Sequence, residues 1–151
     1  MTTIIGIDPG MNGAIAWTHE EGMQVEKMPD TIQGVWFLIQ HIVNDIPMID
    51  RHRRTVRAYI EQVHSMPGQG VASSFKFGNG FGHLEMALTA ANVPFERVTP
   101  GKWQKQMSCL TKGDKNVSKR RAQELFPSLK ITHATADAAL IAEYGRLAQG
   151  F

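Results

Sequence analysis

The chain has a single cysteine, Cys109, in 151 residues. That excludes an internal disulfide and any zinc site built from several cysteines. Together with eight oxidisable methionines it implies a reducing compartment. Long apolar runs are missing too. None approaches the roughly 20 residues that span a bilayer, and strand-like sequence begins too near the N-terminus for a signal or transit peptide, so a soluble, untargeted protein is expected. Net charge is small: 16 Lys and Arg against 14 Asp and Glu leave a formal +2. With 42% hydrophobic residues and 14 glycines, the composition excludes a disordered tail, a coiled coil and a fibrous repeat. No internal repeat and no linker interrupts the chain. Residues 1–151 are therefore expected to form one domain, long enough to bury roughly two thirds of its unfolded surface.

What is present reads as alternating strands and helices. Residues 3–8 are mostly β-branched and apolar, as in a strand buried on both faces, and "PGMNG" supplies turn chemistry before "AIAW". A third strand at residues 23–28 completes an antiparallel meander. Ile32, Val35, Trp36, Ile39, Ile42, Val43 and Ile46 then recur at helical steps up to Pro47, a stripe that should pack on the sheet with Trp36 in the core. Residues 55–63 predict a fourth strand. The glycine- and phenylalanine-rich residues 65–82 are expected to be a functional loop running into a helix that carries Leu84, Ala87, Leu88 and Ala91. "PFERV" gives a fifth strand, and Thr99 before Pro100 a helix start. Further helices are expected over about 116–126 and 134–148. The plan is α/β around a mixed sheet.

Three acids sit where such elements end or begin. Asp8 closes the first strand and Glu61 the fourth, while His133 and Asp137, four residues apart, share one face at the start of the last helix. If the first and fourth strands are neighbours, two carboxylates lie side by side, and like charges so placed call for a cation between them. Hard oxygen ligands suit Mg²⁺ or Mn²⁺, and two such ions roughly 4 Å apart can stabilise both attacking and leaving oxygens in phosphodiester cleavage. Each residue also has a plainer reading. Asp8 before Pro-Gly is a turn former, and His133 with Asp137 can serve as helix-start dipole partners.

The basic residues point the same way. "KGDKNVSKRR" gathers Lys112, Lys115, Lys119, Arg120 and Arg121 at a helix start, where backbone N–H groups also favour phosphate, and "RHRR" at 51–54 adds a second cluster. Either run can equally be a solvated face. Phe75, Phe77 and Phe81 read as core of the following helix or, where exposed, as platforms for a base; Trp103 has the same double reading.

The segments "IIGIDPGMNGAIA", "YIEQV", "KNVSKRRAQELFPSL" and "HATADAALIAEYGR", in this order across the whole chain, resemble the RuvC-type Holliday junction resolvases of the ribonuclease H superfamily. Within that family they are most similar to the phage RuvC-like proteins and the plant chloroplast resolvases. The resemblance implies a ribonuclease H-like mixed five-stranded sheet flanked by helices. It also implies a homodimer that nicks two opposed strands of four-way junction DNA with two Mg²⁺ ions per active site, Mn²⁺ substituting, and leaves 5′-phosphate and 3′-hydroxyl ends. The family's metal ligands fall on Asp8, Glu61, Asp137 and the terminal-helix His133, its acceptor for the water's proton on metal-bound hydroxide or His133, and its active-site lysine on Lys115, with Lys112 the nearby alternative. Bacterial RuvC proteins space the terminal pair three apart, where this chain has Ala134; the chloroplast-like subgroup uses the four-residue spacing seen here. Contacts to DNA fall on Lys112, Lys119, Arg120, Arg121, on Gln69 within the base-probing loop His64–Gly70, and on a wedging aromatic at Phe75 or Phe77. No membrane association is implied, and the cytoplasm of a bacterial or phage-infected cell is the expected location.

Two other classes compete. Actin-like ATPases and sugar kinases also open on "IIGIDPG", but they need a second subdomain and a second phosphate loop for which the length leaves no room. A junction-binding relative that does not cut would keep the fold and lose ligands, whereas all four candidate ligands are present.

Overall fold

The computed structural model describes residues 2–19, 22–45, 55–64, 68 and 70–150. Strand β1 (Thr2–Asp8) lies at the centre of a five-stranded sheet of order β3-β2-β1-β4-β5, formed with β2 (Ala14–His19), β3 (Gly22–Lys27), β4 (Thr55–Glu61) and β5 (Phe95–Val98). β1 to β3 are an antiparallel meander, while β4 and β5 run parallel to β1, so the sheet is mixed as expected. Central placement explains why β1 alternates so little: Ile5 and Ile7 face one core, Ile4 the other.

Helices α1 (Ile32–Asn44) and α2 (Val71–Ala90) cover the first face, where Val35, Leu38, Ile39, Leu84 and Leu88 meet Ile5, Ile7, Ile15 and Ile60. Trp36 is only half-buried at the margin of this core. The other face is covered by α5 (His133–Ala148), with α3 (Pro100–Gln106) and α4 (Lys115–Leu125) contributing Trp103 and Ala122. Helix starts carry the chemistry their sequences suggest. Thr31 Oγ1 accepts from the Gly34 N–H at 3.0 Å, Asp114 Oδ1 from the Asn116 N–H at 2.9 Å, and Thr135 Oγ1 from the Thr132 N–H at 2.9 Å.

The loop expected at 65–82 does not extend into residues 71–82. From Val71 onward the chain is helical, so Phe75 and Phe77 stand on α2; β4 ends at Glu61 and α1 at Asn44, each a little short of the sequence expectation. The sequence points away from a helix here because Gly78, Gly80 and Gly82 lower helix propensity by about 1 kcal/mol each relative to alanine. Nothing in the fold requires them, since a Cβ at any of the three would meet no atom within 4 Å. Gly80→Ala is therefore expected to stabilise the protein by about 0.5–1 kcal/mol and raise its melting temperature by roughly 1–4 °C. An unchanged or lower melting temperature would show that propensity does not limit α2. The 51–54 cluster, Ile46, Pro47 and Gln69 lie outside the described residues.

Candidate active site

The parallel β1–β4 ladder pairs Ile7 with Ile60, so Asp8 and Glu61 follow as neighbours at the same sheet edge. Alternation sends both toward the α5 face, in line with Ile4, Gly6 and Tyr59. A tight turn fixes where Asp8 ends: Gly13 N–H donates to the Gly10 carbonyl at 3.0 Å, and a Cβ at Gly13 would stand 2.0 Å from the Asp8 carbonyl oxygen. From above, α5 presents Asp137 in its second turn, only 9% exposed.

These groups act on one another strongly. Burial first, then the charges of Glu61 and Asp137, push the Asp8 carboxyl up to about 8 against the opposing charge of Lys115, and Asp8 and Glu61 share a hydrogen bond. Glu61 is raised as well, by burial foremost, while a hydrogen bond from Trp103 and the charge of Lys115 pull it back. The Trp103 Nε1–H donates to Glu61 Oε1 at 3.3 Å. Asp137 Oδ1 is buried with no hydrogen-bond partner. Close by, burial and the Asp137 charge hold the Cys109 thiol up at about 11, so it stays protonated and unreactive at neutral pH.

His133 takes a different partner. It is exposed at the first position of α5, and its Nε2 lies 3.0 Å from Asn116 Oδ1. Asn116 Nδ2 donates to Asp114 Oδ1 at 3.0 Å, which fixes the amide with its oxygen toward the imidazole. Nε2 is therefore the donor of this bond, and in the neutral ring Nδ1 is the nitrogen that holds the lone pair. Lys115 begins α4 and is exposed yet near enough to bias both Asp8 and Glu61. Lys112, Lys119 and Arg120 point outward to varying degrees, whereas Arg121 is turned inward, donating to the Met107 carbonyl at 3.0 Å and pairing with Glu124 at 3.3 Å. Phe75 is 75% exposed, while Phe77 is half-buried against the turn that follows Asp8 and stacks loosely on Phe81.

The donor set suits a hard divalent cation: three carboxylates, one with an orphaned buried oxygen, crowded enough that two of them share a proton. Among the described residues, however, no three or more His, Cys, Asp or Glu side chains are grouped around one metal position. Sequence reasoning does not anticipate the Trp103–Glu61 bond or the Asp114–Asn116–His133 chain. Asp114 ahead of "KNVS" signals a helix cap, but nothing in the sequence tells which side chain Asn116 or Trp103 will meet.

Sheet order and helix placement define the ribonuclease H-like class of α/β fold. No protein-family model matches the sequence, and no curated protein sequence does. Within that class the chain has the RuvC-type fold. RuvC of Thermus thermophilus in complex with Holliday junction substrate superposes at a TM-score of 0.63 with 16% identity, over 99% of this chain and 96% of that one. Another Thermus thermophilus RuvC structure gives a TM-score of 0.58 with 18% identity over 97% and 96%. Among the described residues no helix is long and apolar enough to cross a membrane.

Proposed function

We propose that this protein is a Mg²⁺-dependent endonuclease that resolves four-way DNA junctions as a homodimer. The observation that carries the reading is the convergence of Asp8, Glu61 and Asp137 beside Lys115, close enough to raise the proton affinity of the first two, on a RuvC-type fold. Asp8, Glu61 and Asp137 would hold the metal, two ions being the number the sequence resemblance implies. When bound, Mg²⁺ or Mn²⁺ supplies positive charge that offsets the charge developing on the phosphodiester oxygens. Lys115 steadies the scissile phosphate, and His133 Nδ1, left free by the Nε2 bond to Asn116, takes the proton of the attacking water. Lys112, Lys119 and Arg120 bind flanking phosphates, and exposed Phe75 stacks on a base where pairing is interrupted at the junction centre.

A two-fold enzyme fits a two-fold substrate, and α1 and α2, which pack beside one another, leave Phe37 and Met86 exposed as apolar surface for pairing. The test is incubation of strand-labelled four-way junction and matching duplex with protein and Mg²⁺, with light scattering on the same samples. Paired nicks in opposed strands, only in the junction, and a dimeric mass are expected. Failure to cut any junction with Mg²⁺ or Mn²⁺, or equal cutting of duplex, would sink the reading.

A further inference from the structure

Trp103 is completely buried, and its indole N–H is given to Glu61 Oε1. A buried indole N–H needs an acceptor, and a backbone carbonyl would serve. Here the acceptor is instead a carboxylate of the acidic cluster, 42 residues earlier in the chain. The route between them is stiff. β5 pairs with β4 so that Val98 lies beside Glu61, and the Gln62 N–H donates to the Val98 carbonyl at 2.7 Å. Thr99 and Pro100 then turn the chain into α3, and the Met107 N–H closes on the Trp103 carbonyl at 2.9 Å. A glutamate side chain has three rotatable bonds, and a site that must present it in one orientation gains from fixing one of its oxygens.

We propose that Trp103 is a positioning residue for Glu61: its indole N–H holds Oε1, leaving the other oxygen to be presented toward Asp8 and a bound cation in a single orientation. This rests on the reading of the acids as a divalent-cation site. A merely structural indole would satisfy its N–H and fill space, and replacing it would alter stability without changing what Glu61 binds. A positioning indole makes the N–H itself matter, independently of shape.

The experiment separates shape from the N–H with two variants, Trp103→Phe and Trp103→3-benzothienylalanine, the second keeping the bicyclic outline with sulfur in place of N–H. Three quantities are read: single-turnover cutting of a synthetic four-way junction at saturating protein, affinity for that junction, and the Mg²⁺ concentration at half-maximal thermal stabilisation without DNA. Both variants are expected to cut roughly 10- to 100-fold more slowly, with junction affinity within about twofold of wild type and a Mg²⁺ midpoint raised roughly tenfold, the scale on which groups behind metal ligands act. A benzothienylalanine protein matching wild type in rate and midpoint would overturn the proposal and leave Trp103 a packing residue, whatever Trp103→Phe does. If the wild type cuts no junction, the nuclease reading fails by itself. The Mg²⁺ midpoints then decide the role of Trp103: a raised midpoint supports it and equal midpoints overturn it. A wild type that Mg²⁺ fails to stabilise overturns both.

Discussion

Asp8→Asn is expected to lower junction cutting on the order of 10³-fold while leaving junction binding within a few-fold, because it removes a charge that only the reacting complex needs. The same change should stabilise the metal-free protein. Burial and the neighbouring Glu61 and Asp137 raise the Asp8 carboxyl from 3.8 to about 8 on folding. A group raised in this way adds stability that is fully present below about pH 4 and is lost as pH climbs through about 8. Asparagine at this position behaves like an aspartate that never ionises. The stability difference between variant and wild type should thus be small at pH 4 and widen up to pH 8, by at most about 1.4 kcal/mol per pH unit. Added Mg²⁺ should reverse the order by replacing the shared proton, stabilising the wild type most at the alkaline end of that range and the variant little. Melting curves of both proteins at several pH values, with and without Mg²⁺, check this. Cutting by Asp8→Asn within tenfold of wild type, or a stability difference that does not widen with pH, would remove Asp8 from the site.

How far the sequence reveals this site depends on whether a feature is local. β1 is legible because a central strand must be apolar on both faces, and the end of such a run is where a carboxylate can leave the sheet. Glu61 follows by the same logic once β4 is taken as the neighbour of β1. Asp137 is legible through helical spacing. Lys115 is different: local pattern offers it as one of several basic residues at a helix start, and only the resemblance singles it out; its charge reaches Asp8 and Glu61. The first half of α2 is not legible, because its glycines argue for a loop and the contacts that oppose them are tertiary. Phe77 rests on the turn after Asp8, and just beyond this half Arg97 of β5 lies over the Phe81 ring and grips Glu85 with bonds of 2.6 and 2.8 Å. Trp103 is legible as buried or stacking but not as the partner of Glu61, since an indole N–H announces a need and not which acceptor meets it.

Gly6→Ala is expected to destabilise the protein severely and to take the site with it. A glycine inside an apolar strand weakens that strand unless another backbone must come close. Here one does: a Cβ at Gly6 would stand 2.2 Å from the Ala142 nitrogen and 2.4 Å from the Ala138 carbonyl oxygen. Both are backbone atoms of α5, which cannot swing aside as the end of a flexible side chain would. Relief requires moving the helix. The alanines at 138, 139 and 142 show that this contact is built for close approach, and Gly145 repeats it one turn later against Tyr59. Overpacking a core costs typically 1–3 kcal/mol where side chains yield; against backbone, more than about 3 kcal/mol is expected, out of a total of roughly 5–15. That corresponds to a melting temperature lower by roughly 6 °C or more, or to a protein that does not fold. Asp137 directly precedes Ala138, one of the two residues that the new methyl would strike. Any protein that does fold should therefore also cut poorly, with Asp137 shifted from Asp8 and Glu61. Gly80→Ala supplies the internal control, being the same chemical change in open space, with the opposite sign expected. Should Gly6→Ala melt within about 2 °C of wild type, the close seating of α5 on β1 would not be what brings the three carboxylates together.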